Sequence, residues 1–422
     1  MPDHDAHVFN PPLWSYETND ISFDFIVDKF FSGLRRWDAI HFLHIARFGY
    51  IYESSLAFFP TYPIVFIRPL SYLFQTSLIE SNAYLLSAIL INFLLGYVNT
   101  CLLYELGLKF HLKPNHALWS SVLFMINPAT VFFLAPYSES LFLTSQLLGH
   151  IYLKSERLFF SSLCFAFGST IRSNGLVSIG FILYYYLNKS YQKRTLILPL
   201  HYIILFLSAF LLAQFYLYKE FCFEKTNIHP ELKLYGLNEQ LPMPLTNFSS
   251  SWCLKTLPIS YQYVQKTYWN VGFFNYWTLK QIPNFLLALP VFILIGQFIK
   301  NWFQLNFKEI RKQKFRFLVR NQSTKTDIWF NDKDFLPHII YTLFLCLFAC
   351  IFMHIQVSTR FLYSSGPFLY MICADQIKQY NIQNGKLKKI FYLFKKETWL
   401  FYYYFLYVCF GICLFSNFLP WT

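Results

Sequence analysis

Charge is scarce in this chain of 422 residues. Only 14% of them are Asp, Glu, Lys or Arg, where a soluble globular chain carries about 25%. Hydrophobic residues make up 55%, and they gather in long apolar runs. This excludes an ordinary soluble domain and points to an all-α polytopic membrane protein. No CxxC pair with zinc spacing occurs, which removes the usual structural zinc sites. No signal peptide is visible either. The start, "MPDHDAHVFNPP", has neither a basic region nor an apolar one. Internal repeats are missing, and few charges fall within the apolar runs. Both absences count against a transporter or lipid scramblase, which needs ionisable groups near mid-membrane and is often built from paired repeats.

Aromatic residues are plentiful at 22%, with 51 Phe and 31 Tyr, as suits bundle faces and interfacial belts. The formal charge is +13. In a soluble protein that would suggest nucleic acid. Here the Lys and Arg cluster in a few short loops, so the charge reports membrane topology and no nucleic acid partner is expected. Of the nine Cys, Cys101, Cys164, Cys346, Cys350, Cys409 and Cys413 lie in apolar runs and read as buried thiols. Cys222 and Cys253 share one hydrophilic segment and are candidates for a disulfide.

Candidate spans cover 83–107, 117–136, 137–153, 158–171, 175–187, 196–218, 284–305, 336–353, 361–377 and 398–417. The basic segments 188–195, 306–334 and 375–397 are placed in the cytosol. Parity then puts 219–283, the turn "HIQVSTR" (354–360) and the C-terminus 418–422 on the lumenal side, with the turns "APYSES" (135–140) and "IRSNG" (171–175). The N-terminal region 1–82 is lumenal too, provided that 58–74 lies along the interface. Pro60, Pro63, Pro69 and Arg68 support that choice. The division is therefore a lumenal loop 1–82, spans over 83–218, a lumenal loop 219–283, and spans over 284–417. Asn247 heads a sequon on the lumenal side. Asn188 and Asn321 head sequons on the cytosolic side and are expected to stay bare.

Five polar islands then share one side. Asp38, beside Trp37, has two readings: a general base at a membrane edge, or a cap for the helix that follows. His41 and His44 stand three residues apart, spaced for a metal or for a wet helix face. Two DxD patterns, at Asp3/Asp5 and Asp332/Asp334, are too short to carry a metal site. Glu139 in "PYSES", and Arg172 and Asn174 in "IRSNG", sit between hydrophobic runs, where charges line a cavity or find a partner. His354, Gln356, Thr359 and Arg360 complete the set. Arginine binds phosphate through its planar fork, or else snorkels to headgroups. Together the islands look like the rim of one site.

The same residues carry a resemblance. "RWDAIHFLHIARFGYIYESSLAFFPTYP" resembles the Trp-Asp-Ala, His-Phe, Gly-Tyr and Ala-Phe-Phe-Pro signature of the phosphatidylinositol-glycan class V family, the GPI mannosyltransferases II. "NPATVFFLAPYSESLF", "IRSNGLVSIGF", "HIQVSTRFLYSSGPFLY" and the terminal "NFLPWT" follow in the family's order. The likeness covers residues 3–190 and 340–422, and between them it holds mainly in layout.

The resemblance implies a GT-C-type bundle with a large first lumenal loop, in the endoplasmic reticulum membrane. It implies transfer of the second GPI mannose, α1,6-linked and with inversion, from dolichyl-phosphate mannose. The acceptor would be a mannosyl-glucosaminyl-(acyl)phosphatidylinositol. Asp38 matches the acidic residue expected to be the base. Charge and side, not the family, suggest Arg172 or Arg360 for the donor phosphate. Trp37, His41, Glu139, Asn174, His354 and Gln356 are candidates for holding substrate. No cofactor is expected, and no metal is needed in principle, since the leaving group is a single lipid phosphate. A small membrane subunit is a further candidate partner. The family also carries a transmembrane helix ahead of "PDH…FNPP", so either a preceding segment is expected or the next hydrophobic run inserts as an uncleaved anchor that carries the N-terminus across. Rival readings are another dolichyl-phosphate-sugar transferase of this fold, a non-catalytic scaffold subunit and a lipid transporter. Segment 219–283 either meets the acceptor glycan or covers the bundle.

Overall fold

The structure is a computed structural model that describes residues 9, 11, 23–190, 198–223, 225, 227–244, 250–313, 335–383, 399–419 and 421. Among these, every regular element is a helix. Four helices are long and apolar enough to cross a membrane: Glu80–Lys109, Leu200–Cys222, Leu279–Gln304 and Trp399–Ser416. Shorter apolar helices, Leu158–Ser169 and Leu336–Phe352, pack among them.

Several uninterrupted apolar runs of the sequence are broken helices. Residues 117–136 divide into Pro114–Met125 and Thr130–Leu134. The break falls at Asn127-Pro128. Proline has no N–H to continue a helix, and the Asn127 side chain takes over the local backbone, donating to Phe124 O and accepting from Ala129 N. Residues 361–377 divide into Ser358–Ser364 and Phe368–Gln383, with Ser365-Gly366-Pro367 between them. These interruptions matter because irregular backbone in a membrane protein is confined to places buried in protein or lining a cavity.

Buried amides hold the bundle together. Asn92 and Asn99 lie two turns apart on the Glu80–Lys109 helix and are 1% and 0% exposed, so both must find protein partners. Asn92 donates to the carbonyls of Ala135 and Tyr137, and Asn99 to that of Ser140. One helix thereby fixes the turn that begins the next, Glu139–Lys154. Close packing does the same for 171–175. A Cβ on Gly175 would stand 2.5 Å from the backbone of Gly168 and Ser169, so only glycine fits there.

The N-terminal region lies across one end of this bundle. The Asp38–Phe48 helix ends at Gly49, whose φ of 77° suits glycine. Arg68 Nε and Nη2 donate to the carbonyls of Ala46 and Ile45, completing the helix end from outside. Arg68 itself follows a π-helical turn, Thr61–Ile67, with Tyr62 and Ile67 buried and Val65 exposed. Asp24 accepts from the backbone N–H of Ile79 and so caps the Glu80–Lys109 helix.

The segment after Leu200–Cys222 folds back over this region. Cys222 and Cys253 form a disulfide with Cα atoms 5.7 Å apart. Trp252 is fully buried and donates to Glu53 Oε1 at 2.8 Å, while Tyr268 Oη donates to Glu53 Oε2 at 2.6 Å. A carboxylate only 2% exposed is thus satisfied at both oxygens. Farther on, Trp277 Nε1 and Phe274 N donate to the carbonyls of Cys350 and Ile351, the orphan end of Leu336–Phe352.

Candidate active site

Asp38 opens its helix, but it does not cap it. The capping position belongs to Trp37, at φ 56°, and no side-chain capping bond forms. The Asp38 carboxylate turns to a distant partner instead, and Oδ2 accepts from Arg360 Nη2 at 2.8 Å. The two side chains are 28% and 16% exposed, so the pair is shielded yet reachable. Arg360 rides on the short helix Ser358–Ser364. Its guanidinium lies 5.0 Å from the Phe132 ring centroid and 5.3 Å from that of Tyr137. Burial opposes the charge on Arg360, but Asp38, Glu139 and Tyr137 outweigh it and raise its pKa. The group is a fixed cation.

A second pair stands beside the first. Glu139 is fully buried in the first turn of Glu139–Lys154, an N-terminal position that favours a carboxylate. Arg172 Nη1 lies 2.5 Å from its Oε1. Since Arg360 also feels the Glu139 charge, four charged residues from four separate stretches of sequence form one electrostatic set.

The other expected residues fall into two groups. Asn174 lies near the charged set and donates to Ser365 Oγ at 3.0 Å, tying 171–175 to the break before Phe368–Gln383. His354 and Gln356 face the returning segment. His354 Nε2 is 2.6 Å from Trp269 O and its ring stacks on Tyr276, whose hydroxyl donates to Gln356 Oε1 at 3.2 Å. His41 is sandwiched between Phe9 and Phe58, with ring centroids at 4.3 and 4.8 Å. Burial drives its pKa down to about 4, although Asp38 pulls the other way. His44 is buried between aromatic rings, and burial, His41 and Arg47 lower its pKa to about 3. Both imidazoles are neutral at pH 7. Among the described residues, no three His, Cys, Asp or Glu side chains gather as metal ligands. The two DxD patterns and the sequons at Asn247 and Asn321 lie outside the described residues, as do 191–195, 314–334 and 384–397 of the basic segments.

Sequence reasoning missed Tyr137 and Phe132. Tyr137 is 1% exposed, carries the Arg360 cation on its ring and directs its hydroxyl to Arg36 O at 3.5 Å. Its signal was available, two residues before Glu139 in the same polar turn. Phe132 had none, being one apolar residue in an apolar run.

An Asp set by an arginine, with a second carboxylate–arginine pair next to it at the end of a helical bundle, suits proton abstraction beside an anionic leaving group. Comparison with known proteins gives that chemistry a family. A family model described as mannosyltransferase (PIG-V) matches residues 1–422. The chain belongs to the PIG-V mannosyltransferase family. It is 31% identical over 486 residues to the human protein named GPI alpha-1,6-mannosyltransferase 2, covering 100% of this chain and 94% of that protein. It is 32% identical over 445 residues to GPI mannosyltransferase 2 of Drosophila melanogaster, with the same coverage. Against GPI mannosyltransferase pigv-1 of Caenorhabditis elegans, identity is 24% over 504 residues, covering 94% of this chain and 74% of the relative. No solved structure matches. As a member of the PIG-V family, the chain is a multi-pass membrane glycosyltransferase.

Proposed function

We propose that this mannosyltransferase adds the second mannose to the GPI-anchor precursor, in α1,6 linkage, on the lumenal face of the endoplasmic reticulum membrane. The names of its full-length relatives support the GPI acceptor and, in mammals, the linkage. The family resemblance of the sequence supports dolichyl-phosphate mannose as donor. The observation that carries the mechanism is the Asp38–Arg360 pair at 2.8 Å with Glu139–Arg172 alongside.

The acceptor offers the 6-hydroxyl of its first mannose. Asp38 takes the hydroxyl proton as that oxygen forms a bond to the anomeric carbon. The bond from the anomeric carbon to the phosphate oxygen breaks on the opposite face, and dolichyl phosphate leaves with the electron pair. Inversion of the β-linked donor gives the α product. Arg360 occupies one oxygen of Asp38, which leaves the other to take the proton. Arg172 or Arg360 meets the phosphate as its charge develops, and a fixed guanidinium provides that stabilisation without reorganising. Asn174, His354 and Gln356 frame the sugars. A positioned base alone contributes about 10²–10⁴-fold, so orientation of two membrane-bound substrates supplies much of the remainder.

The test is Asp38→Asn, expressed in cells that lack GPI mannosyltransferase II. Surface GPI-anchored protein and the accumulating lipid intermediate are scored. The expected result is normal protein level with no rescue. Full rescue by the variant would remove Asp38 as base. Failure of the unmodified chain to rescue would count against the acceptor and favour another dolichyl-phosphate-sugar transferase.

A further inference from the structure

The C-terminal end of the protein packs against the neighbours of both halves of the Asp38–Arg360 pair. Two aromatic side chains make the contacts, Phe415 from the last turn of Trp399–Ser416 and Phe418 just beyond it. On the Asp38 side, Arg36 Nε donates to Ser416 O at 3.2 Å, and its guanidinium lies 4.6 Å from the Phe418 ring centroid. The same ring meets Trp37 edge-on at 5.8 Å. On the Arg360 side, Phe415 is fully buried and meets Phe132 at 5.5 Å and Tyr137 at 5.9 Å. Those are the two rings on which the Arg360 guanidinium rests.

Trp37 explains why such support is needed. It takes φ 56° immediately before Asp38, a strained conformation for a non-glycine residue that persists only where its surroundings enforce it. No side-chain capping bond holds the start of the Asp38 helix. The enforcement comes from neighbours of Trp37 and Arg36, and the last helix supplies a ring, a carbonyl and a close approach there. A Cβ on Gly33, at the start of this turn, would lie 3.1 Å from Ser416 Cβ. Trp421 then folds back onto Tyr407 at 5.2 Å and lies against Gly411, which fixes the path of the chain around Phe418.

We propose that Phe418, with Phe415, is a positioning residue for transfer: the C-terminal end sets Asp38 and Arg360 against each other. The proposal rests on the reading of Asp38 as base. Neither phenyl ring touches the reacting atoms. Each acts through a neighbour, Phe418 through Trp37 and Phe415 through Tyr137 and Phe132.

The experiment measures mannose transfer from dolichyl-phosphate mannose to a mannosyl-glucosaminyl lipid acceptor in microsomes, using the full chain at matched expression. Phe418→Ala should lower kcat about 10²-fold, the size of effect that a shift of about 1 Å produces at a reacting centre. KM for both substrates should stay within about twofold, as for a change felt only in the transition state. Phe418→Tyr keeps the ring and should restore most of the rate. Leu419→Ala, on an exposed neighbour, should be unchanged.

A Phe418→Ala enzyme with normal kcat overturns the proposal. So does a loss that Phe418→Tyr fails to restore, or one that appears in KM alone. If Phe418→Ala does not accumulate, Phe418→Leu at normal abundance decides by the same split between kcat and KM. Asp38→Asn at full activity would instead remove the base assignment. Inactivity of the unmodified chain would remove the reading of donor and acceptor, so the three failures are distinct.

Discussion

Removing Arg172 while keeping Glu139 gives the most quantitative test of the charged set. In Arg172→Met the alkyl bulk remains and the cation is lost. Glu139 is fully buried, whereas the Arg172 side chain retains 21% exposure. The stranded carboxylate therefore has no water to turn to. Two unit charges about 4 Å apart attract by about 4 kcal/mol at an effective dielectric near 20. Breaking a buried pair from one side costs about 3–5 kcal/mol in practice, so the two figures agree. The opposite change, Glu139→Gln, leaves Arg172 with its own route to water and should cost less, about 1–3 kcal/mol, the range for leaving a polar group without its partner. The double variant should resemble Glu139→Gln, because neither charge is then buried alone. The assay is unfolding of the purified protein in detergent, by denaturant or heat, for all four members of the cycle. Arg172→Met within about 1 kcal/mol of the parent, the value of an exposed pair, would refute the reasoning. So would a double variant whose loss equals the sum of the singles.

Other predictions follow from the same contacts. His41 and His44 have folded-state pKa values of about 4 and 3, below the 6.5 of the free side chain, so the unfolded chain binds protons first as pH falls. Stability should be full above pH 6.5 and decline from there to about pH 3, read as the unfolding midpoint across that range. His41→Phe keeps the stack with Phe9 and Phe58 and should flatten the decline; an unchanged slope would show that the loss comes from elsewhere. Glu53→Ala strands the buried indole N–H of Trp252 and the hydroxyl of Tyr268, and should cost about 2–6 kcal/mol at roughly 1–3 per stranded group. A neutral result in the same unfolding assay would mean that the returning segment is not fastened there. Replacing Cys222 and Cys253 by Ser opens a link across 31 residues of sequence and should lower stability by about 2–4 kcal/mol. Enhanced protease cleavage within 223–283 is the expected signature, and identical protection in both forms would contradict it.

Legibility in the sequence differed between parts of the molecule. The membrane class was readable because burying apolar surface in lipid needs long runs, and runs are a one-dimensional property. Asp38, Glu139, Arg172 and Arg360 were readable because charge flanked by apolar runs is costly and stands out against them. The partners were not. Asp38 and Arg360 are 322 residues apart, and no spacing rule joins positions so distant. The breaks at Asn127-Pro128 and Ser365-Gly366-Pro367 were hidden for another reason: hydropathy averages across a proline that the backbone cannot ignore. Segment 219–283 read as a glycan contact or as a cover of the bundle, and only the fold shows its Trp252 buried against Glu53.

What the sequence determined by itself is therefore composition and local order: a helical membrane protein, polar islands at helix ends, and motifs in the order of one family. The tertiary structure alone decided which charge meets which. It turned Asp38 away from capping its own helix and toward Arg360, and it seated Arg172 on Glu139. It also brought Phe415 and Phe418 from the far end of the chain to the rings and turn around that pair. The physical reason is that a buried charge must find its complement wherever packing brings one within about 3 Å. Packing is settled by the whole fold, not by the neighbours in sequence.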